Sequence, residues 1–239
     1  MRDTAQIIVP LGEIQISMNN SVTISVVMAV YNTPVRFVQR AIHSVLQQDY
    51  QDFEFIVMDD GSDLMLGLQL LQYCQQYQTK MVYIRNKNQG QSEAVNRALP
   101  FCEGRYIALL DADDEYKPNH LSTCLAAMQH ADLVSSHTET IVRTEADYYI
   151  PDIYGPSQNI HVDDCIPFAT LFGKKIVFET FPFQKMYGAD RSFYEQAATK
   201  FRVKKLPTRT YVYYRDHEYS ITAQLKASQF SPEESALFS

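Results

Sequence analysis

Tyr106-Ile107-Ala108-Leu109-Leu110 runs straight into Asp111-Ala112-Asp113-Asp114. The apolar half reads as a short buried strand. Side chains alternate faces along a strand, so Asp111 and Asp113 share a side if the extended conformation continues. Buried charges need partners, so carboxylates at a strand exit are not core. Three acids in four positions repel one another without a cation. Oxygen ligands of this kind suit a hard divalent ion, and such an ion suggests a phosphate-bearing substrate. The competing reading is a solvated turn.

Upstream, Ile24–Val30 is a continuous apolar run rich in β-branched residues, the pattern of a strand buried on both faces. Tyr31-Asn32-Thr33-Pro34 breaks it, and Thr33 with Pro34 suits a helix start. Phe37, Val38, Ala41, Ile42, Val45 and Leu46 then recur at helical spacing. Residues 53–58 form a second strand pattern that ends in Asp59-Asp60-Gly61-Ser62-Asp63, and residues 64–77 a second helical one. A third strand at 81–84 leads through Asn88-Gln89-Gly90 into a helix carrying Ala94, Val95, Ala98 and Leu99. Strands alternating with helices imply an α/β, doubly wound, mostly parallel sheet with right-handed crossovers. Ligands of such sheets sit outside the carboxyl ends of the strands. Tyr31-Asn32, the Asp59 cluster, Asn88 to Gly90 and the Asp111 cluster all fall at those ends, so four polar turns share one rim.

After about Leu133 the alternation weakens. Residues 133–137 read as a strand and 141–149 as an antiparallel arm. Residues 151–167 read as loop, 168–172 as a short helix and 190–199 as a longer one. Residues 202–206 and 210–214 read as two late strands. Residues 1–21 read as an N-terminal extension and 223–239 as a tail.

The chain has 239 residues, 46% hydrophobic and 21% charged, with a formal charge of −7. That suits one large α/β domain or two small ones. The acidic balance argues against a nucleic-acid binder, which shows a basic stripe. It also means that an anionic ligand needs a metal or local Lys/Arg. Cys74, Cys102, Cys124 and Cys165 show no CxxC spacing and no accompanying His cluster, so small buried thiols in a reducing, cytoplasmic compartment are expected. No stretch approaches the roughly 20 apolar residues of a membrane span. Peripheral association at the inner membrane face stays open.

Taken together, Ser25-Val26-Val27-Met28-Ala29-Val30-Tyr31-Asn32, Asp59-Asp60-Gly61-Ser62 and Leu110-Asp111-Ala112-Asp113-Asp114 resemble family 2 glycosyltransferases with the GT-A fold. Gly188-Ala189-Asp190 and the stretch Tyr214-Arg215-Asp216-His217-Glu218-Tyr219-Ser220-Ile221-Thr222 resemble the family's two later motifs. The resemblance covers roughly residues 22–222, with a nucleotide-binding half at about 22–115 and an acceptor-binding half at about 116–222. It implies a nucleotide-sugar donor, usually UDP-linked, a Mn²⁺ or Mg²⁺ ion, inversion at the anomeric carbon and hexosyl or N-acetylhexosaminyl transfer to a glycan or other hydroxyl acceptor. By this resemblance Val30, Tyr31 and Asn32 edge the uridine pocket, and Asp60 reads the base. Asn88, Gly90 and Asn96 lie toward the donor. Asp111 and Asp113, with Ala112 between them, match the DxD motif: Asp111 near ribose or sugar, Asp113 at the metal, with Asp114 beside them. Asp190 matches the general base, although Ala189 stands where many relatives carry a second acid. His217 matches a histidine that in some members reaches diphosphate or metal. Cell-envelope polysaccharide synthesis is the family-level expectation.

Blander readings remain beside these. Asp60 with Ser62 suits a turn or cap, Asn96 a structural helix position, His217 the surface, and Tyr211, Tyr213 and Tyr214 strand packing. Residues about 138–185 would govern the acceptor. Other functions also stay open: a non-catalytic nucleotide-sugar-binding module, a phosphatase of the haloacid-dehalogenase type, or a nucleotidyltransferase.

Overall fold

All of Ile24–Val30 (β1) except Ala29 is buried, so the strand needs a covering layer on both faces. Phe53–Asp59 (β2) pairs with it in parallel on one edge, from Ile24 opposite Phe53 to Val30 opposite Asp59. Met81–Arg85 (β3) extends the sheet beyond β2. Tyr106–Asp111 (β4) pairs in parallel with the other edge of β1 and brings Asp111 opposite Ala29. The crossovers are Val35–Leu46 (α1), Leu64–Gln75 (α2) and Gln91–Ala98 (α3). The computed structural model of the chain describes residues 22–152 and 159–216.

The later elements are Glu115–Tyr116 (β5), His120–Ala127 (α4), Leu133–Ile141 (β6), Tyr149–Pro151 (β7) and Asn159–His161 (β8). Leu171–Lys174 (β9), Lys175–Thr180 (α5), Ala189–Ala198 (α6) and Val203–Tyr214 (β10) complete the order. One sheet runs β3-β2-β1-β4-β9-β6-β10-β5, and β7 pairs with β8 as a separate antiparallel hairpin. The chain fills the sheet outward through β2 and β3, then returns to the other side of β1 with β4. The order therefore reverses between β1 and β4, which opens a crevice beyond their carboxyl ends.

Alternation assigns the faces. Val26, Met28, Phe55, Val57, Ala108 and Leu110 pack with α1, α2 and α4. Val27, Ile56, Met58, Ile107 and Leu109 pack with α3, α5 and α6. All four cysteines are free and buried, and burial pushes the thiols of Cys74, Cys102 and Cys124 up to about 12. Such thiols are inert. No helix among the described residues is long and apolar enough to cross a membrane.

Several elements differ from expectation. Residues 168–172 form one 3₁₀ turn, Phe168–Thr170, and then enter β9, which lies antiparallel to both β4 and β6. Phe172 is fully buried there between Ala108 and Val134, so cross-strand burial outweighs the local helical pattern. The two late strands are one, β10, with a register shift between Leu206 and Tyr211. Pro207, which has no N–H for a ladder, lies in that break. The expected antiparallel arm at 141–149 is instead the end of β6 followed by a 3₁₀ turn capped by Thr144 and Asp147. Helix α4 has no counterpart in the sequence reading, although Leu121, Cys124, Leu125 and Met128 recur at helical spacing.

Candidate functional site

The crevice between β1 and β4 widens into a cavity of about 700 Å³. Val30, Tyr31, Asn32, Asp60, Asn88 and Gly90 line one part of it. Asp111, Ala112, Asp113 and Asp114 line its floor. The β7–β8 hairpin and the start of α6, with Asp190, close the far side. The Tyr187 hydroxyl donates to the Pro151 carbonyl at 3.1 Å, which ties the hairpin to the approach to α6.

The first part of the rim is held by backbone-directed polar groups. Asn32 takes a positive φ of 49°, a conformation that asparagine tolerates better than most residues. Its N–H donates to Ser62 Oγ at 3.0 Å and its Oδ1 accepts from the Asp63 N–H at 2.8 Å. The β1 and β2 exits are thus clamped together. Asp60 is buried, and its carboxylate accepts from the N–H of Gln89 at 3.0 Å and of Gly90 at 2.8 Å. Burial raises its pKa, and these two N–H groups partly offset the rise. Gly61 has φ +82°, and a Cβ there would lie 2.7 Å from the Asn88 nitrogen. Glycine is therefore required where this turn meets the Asn88 loop. Asp59 draws in the same rim from beneath. It accepts from the Ser62 N–H at 2.8 Å, from Arg85 at 2.5 Å and from the Tyr83 hydroxyl.

The acidic stretch is not an extended strand. β4 ends at Asp111, and the Asp114 N–H reaches back to the Asp111 carbonyl at 3.2 Å, closing a turn. Asp111 and Asp113 are brought together by that turn rather than by strand alternation. Gln91, the first residue of α3, donates to Asp111 Oδ1 at 2.5 Å. Burial first, then the neighbouring charge of Asp113, pushes Asp111 up to about 7; Asp190 adds to the rise and Gln91 opposes it. Asp114 is almost fully buried and is spoken for within the protein. Its Oδ2 accepts from the Tyr211 hydroxyl at 2.7 Å and its Oδ1 from the Tyr214 N–H at 2.8 Å.

Asp190 sits in the first turn of α6, behind Gly188 at φ +74°. Burial pushes its carboxyl up to about 6, while the N–H groups of Arg191, of Asp190 itself and of Phe168 oppose the rise. Ala189 is 7% exposed and packs inward, so of these two positions Asp190 is the one that lines the cavity.

Asn96, read as a donor contact, lies outside the lining. Its side chain donates to the Phe183 carbonyl at 2.8 Å and accepts from the Phe183 N–H at 2.9 Å, joining α3 to the loop before α6. Asn96→Ala is expected to cost about 2–3 kcal/mol, because two backbone groups lose their partners. Chemical denaturation reads that loss, and UDP affinity should not change. His217 lies outside the described residues. Gln91 and Tyr187 escaped the sequence reading, and Tyr211 entered it only as strand packing. Gln91 alone carried a signal, its place directly after Asn88-Gln89-Gly90.

Among the described residues no three His, Cys, Asp or Glu side chains gather closely enough to hold a metal ion unaided. The charge pattern fits a cation whose coordination is completed by ligand oxygens. Asp111 is forced toward protonation by burial and by Asp113 and Asp190, and a doubly positive ion relieves both causes.

A family model described as Glycosyl transferase family 2 matches residues 25–187. The chain is 39% identical over 118 residues to a putative colanic acid biosynthesis glycosyl transferase, WcaA, of Escherichia coli K12, covering 47% of this chain and 40% of that one. It is 35% identical over 127 residues to an uncharacterized glycosyltransferase, alr2836, of Nostoc sp. PCC 7120, covering 49% of this chain and 39% of that one. The chain spans less than half the length of these relatives. Among solved structures, S. aureus TarS 1-349 in complex with UDP-GlcNAc superposes with a TM-score of 0.66 at 18% identity, over 87% of this chain and 62% of that one. The mannosyltransferase PcManGT of Pyrobaculum calidifontis, in complex with GDP-Man and Mn²⁺, superposes with a TM-score of 0.62 at 17% identity, over 79% and 56%. At these identities the likeness is one of fold, the GT-A arrangement. The family model spans more than half of the sequence, and the chain belongs to glycosyl transferase family 2.

Proposed function

We propose that this chain moves a sugar from a nucleotide diphosphate donor, UDP-linked, to an acceptor hydroxyl with inversion, in the synthesis of a cell-surface polysaccharide. The observation that carries the reading is that one cavity at the strand-order reversal collects Asp60, the turn of Asp111 and Asp113, and Asp190. The UDP-sugar and GDP-Man complexes of proteins with this fold support a nucleotide-sugar donor. The surface-polysaccharide names among the relatives support the pathway class.

In this reading Tyr31 and Asn32 edge the base. Asp60 shapes the loop of Gln89 and Gly90 and keeps a lone pair on Oδ1 for the base imide N–H. Asp111 and Asp113 would hold the divalent cation, Mn²⁺ or Mg²⁺, which when bound offsets the negative charge of the leaving diphosphate. His217 is proposed on the same diphosphate or metal. Asp190 accepts the proton of the attacking acceptor hydroxyl. The acceptor oxygen bonds to the anomeric carbon from the face opposite the diphosphate. The bond from that carbon to the diphosphate oxygen breaks, and the nucleoside diphosphate departs with the electron pair. The apolar walls from Ile150, Ile160, Val162 and Phe168 keep water from competing as acceptor.

The test is product release from a panel of nucleotide sugars incubated with protein, Mn²⁺ and simple sugar acceptors. Free nucleoside diphosphate from at least one donor is expected. Release of sugar 1-phosphate instead, with the nucleoside monophosphate passed to the acceptor, would make the chain a nucleotidyltransferase. UDP binding without turnover across the panel would favour a binding module.

A further inference from the structure

We propose that Tyr211 is a positioning residue whose hydroxyl holds the acidic turn in the shape that presents Asp113 to the donor diphosphate. What the turn does rests on the transferase reading above; the clamp itself does not. Tyr211 is 1% exposed and belongs to β10, 97 residues from Asp114. Its hydroxyl donates to Asp114 Oδ2 at 2.7 Å and accepts from the Asp111 N–H at 3.3 Å. One phenol therefore grips both ends of the turn. Only Ala112 and Asp113 lie between those ends, so a shift at either moves Asp113 directly. Arg40 donates to the Asp113 carbonyl, which holds the same turn at a third point.

The ring is itself fixed. Tyr116 meets it edge-on at 5.7 Å and His120 at 6.0 Å. His120 stacks on Tyr116 at 4.0 Å and is anchored to Thr210 at 2.8 Å. Strand pairing puts Tyr211 opposite Tyr116, so β5 and β10 set the height of the phenol relative to the turn. A tyrosine needed for packing alone has no reason to place its hydroxyl here, since phenylalanine fills the same volume. Both partners of the hydroxyl belong to the turn, and neither belongs to the surrounding core.

The test uses the whole chain with Tyr211→Phe, which keeps the ring and removes the grip. Without any ligand, amide hydrogen exchange over residues 111–114 should quicken by about 10-fold or more, while exchange in β1 and β2 stays unchanged. In calorimetric titrations of UDP, the Mn²⁺ concentration for half-maximal binding should rise about 10-fold. The kcat at saturating Mn²⁺ should fall about 10- to 100-fold with acceptor KM unchanged, the scale of a small misplacement at a reacting centre. Tyr106→Phe, a buried tyrosine stacked on Phe172 at 5.9 Å and remote from the turn, should change none of these. Unchanged exchange at 111–114 in Tyr211→Phe overturns the clamp. Loss of the fold, seen by circular dichroism, or an equal effect of Tyr106→Phe, assigns the hydroxyl to general core stability and also overturns it. Quickened exchange in a protein whose wild type shows no metal-dependent UDP binding keeps the clamp and rejects the transferase reading instead.

Discussion

Asp190→Asn should leave donor binding intact and remove turnover. Asparagine fills the same space at the start of α6 and keeps an acceptor for the Arg191 N–H, which meets Asp190 Oδ1 at 2.7 Å. It cannot take a proton. The expected loss in kcat is about 10²–10⁴-fold, the usual worth of a positioned general base. The affinity for UDP with Mn²⁺ should change less than about threefold, since no diphosphate contact is proposed for this residue. The pH profile carries a second signature. Burial pushes Asp190 up to about 6, and a base works only when ionised. Wild-type kcat/KM should therefore be full above that value and fall about tenfold per pH unit below it. The residual activity of the variant should lack this limb. A variant that turns over within threefold of wild type would remove Asp190 from the mechanism.

Asp111→Asn should raise the melting temperature of the ligand-free protein while lowering transfer by about 10²–10³-fold. The cause is electrostatic. Burial, Asp113 and Asp190 together push Asp111 up to about 7, far above the usual carboxylate range near 4. A carboxyl whose folded pKa exceeds its unfolded one binds protons more tightly when folded. Its charge destabilises the fold above about pH 7, and stability recovers as pH falls from about 7 toward 4. The neutral amide removes both burial cost and repulsion, and its oxygen still accepts from Gln91. Taking about 1–2 kcal/mol as relieved at pH 8, a rise of roughly 2–8 °C follows for a domain of this size. The variant should also gain less on acidification between pH 7 and 5 than wild type, the remaining gain coming from Asp190 and Asp114, which burial also raises. Asp132 lies outside that window: its hydrogen bonds to Arg202 and Lys174 hold it below the usual carboxylate range, so its contribution fades only in strong acid. Differential scanning calorimetry at pH 8 and pH 5 reads both effects. A melting temperature at pH 8 that stays put or falls would contradict the picture of a strained acidic pocket.

The first half of the fold was legible because its strands are covered on both faces. Burial of β1, β2 and β4 writes continuous apolar runs, and each run stops where the chain reaches the crevice, at Tyr31, Asp60 and Asp111. The rim followed from that geometry alone. The later half was harder because its elements are defined by distant partners. β9 is a strand only because Phe172 lies between Ala108 and Val134, and its local pattern suits a helix as well. Helix α4 is only 8 residues long, too short for its apolar period to stand out. The acidic turn shows the same limit at the site. Which way Asp113 faces depends on a hydroxyl 100 residues beyond Asp111, and no local spacing encodes that. Asn96 meets the same limit: a polar residue on a helix beside the rim looks the same in sequence whether it meets a ligand or, as here, the Phe183 backbone.

In the proposed reaction the carboxylates at the end of β4 receive a metal-bound nucleoside diphosphate. Isothermal titration of UDP into wild type and Asp113→Ala, each with and without Mn²⁺, tests it most directly. Saturable heat is expected only for wild type with Mn²⁺. Equal UDP affinity in metal-free buffer, or an Asp113→Ala protein that titrates like wild type, would contradict it.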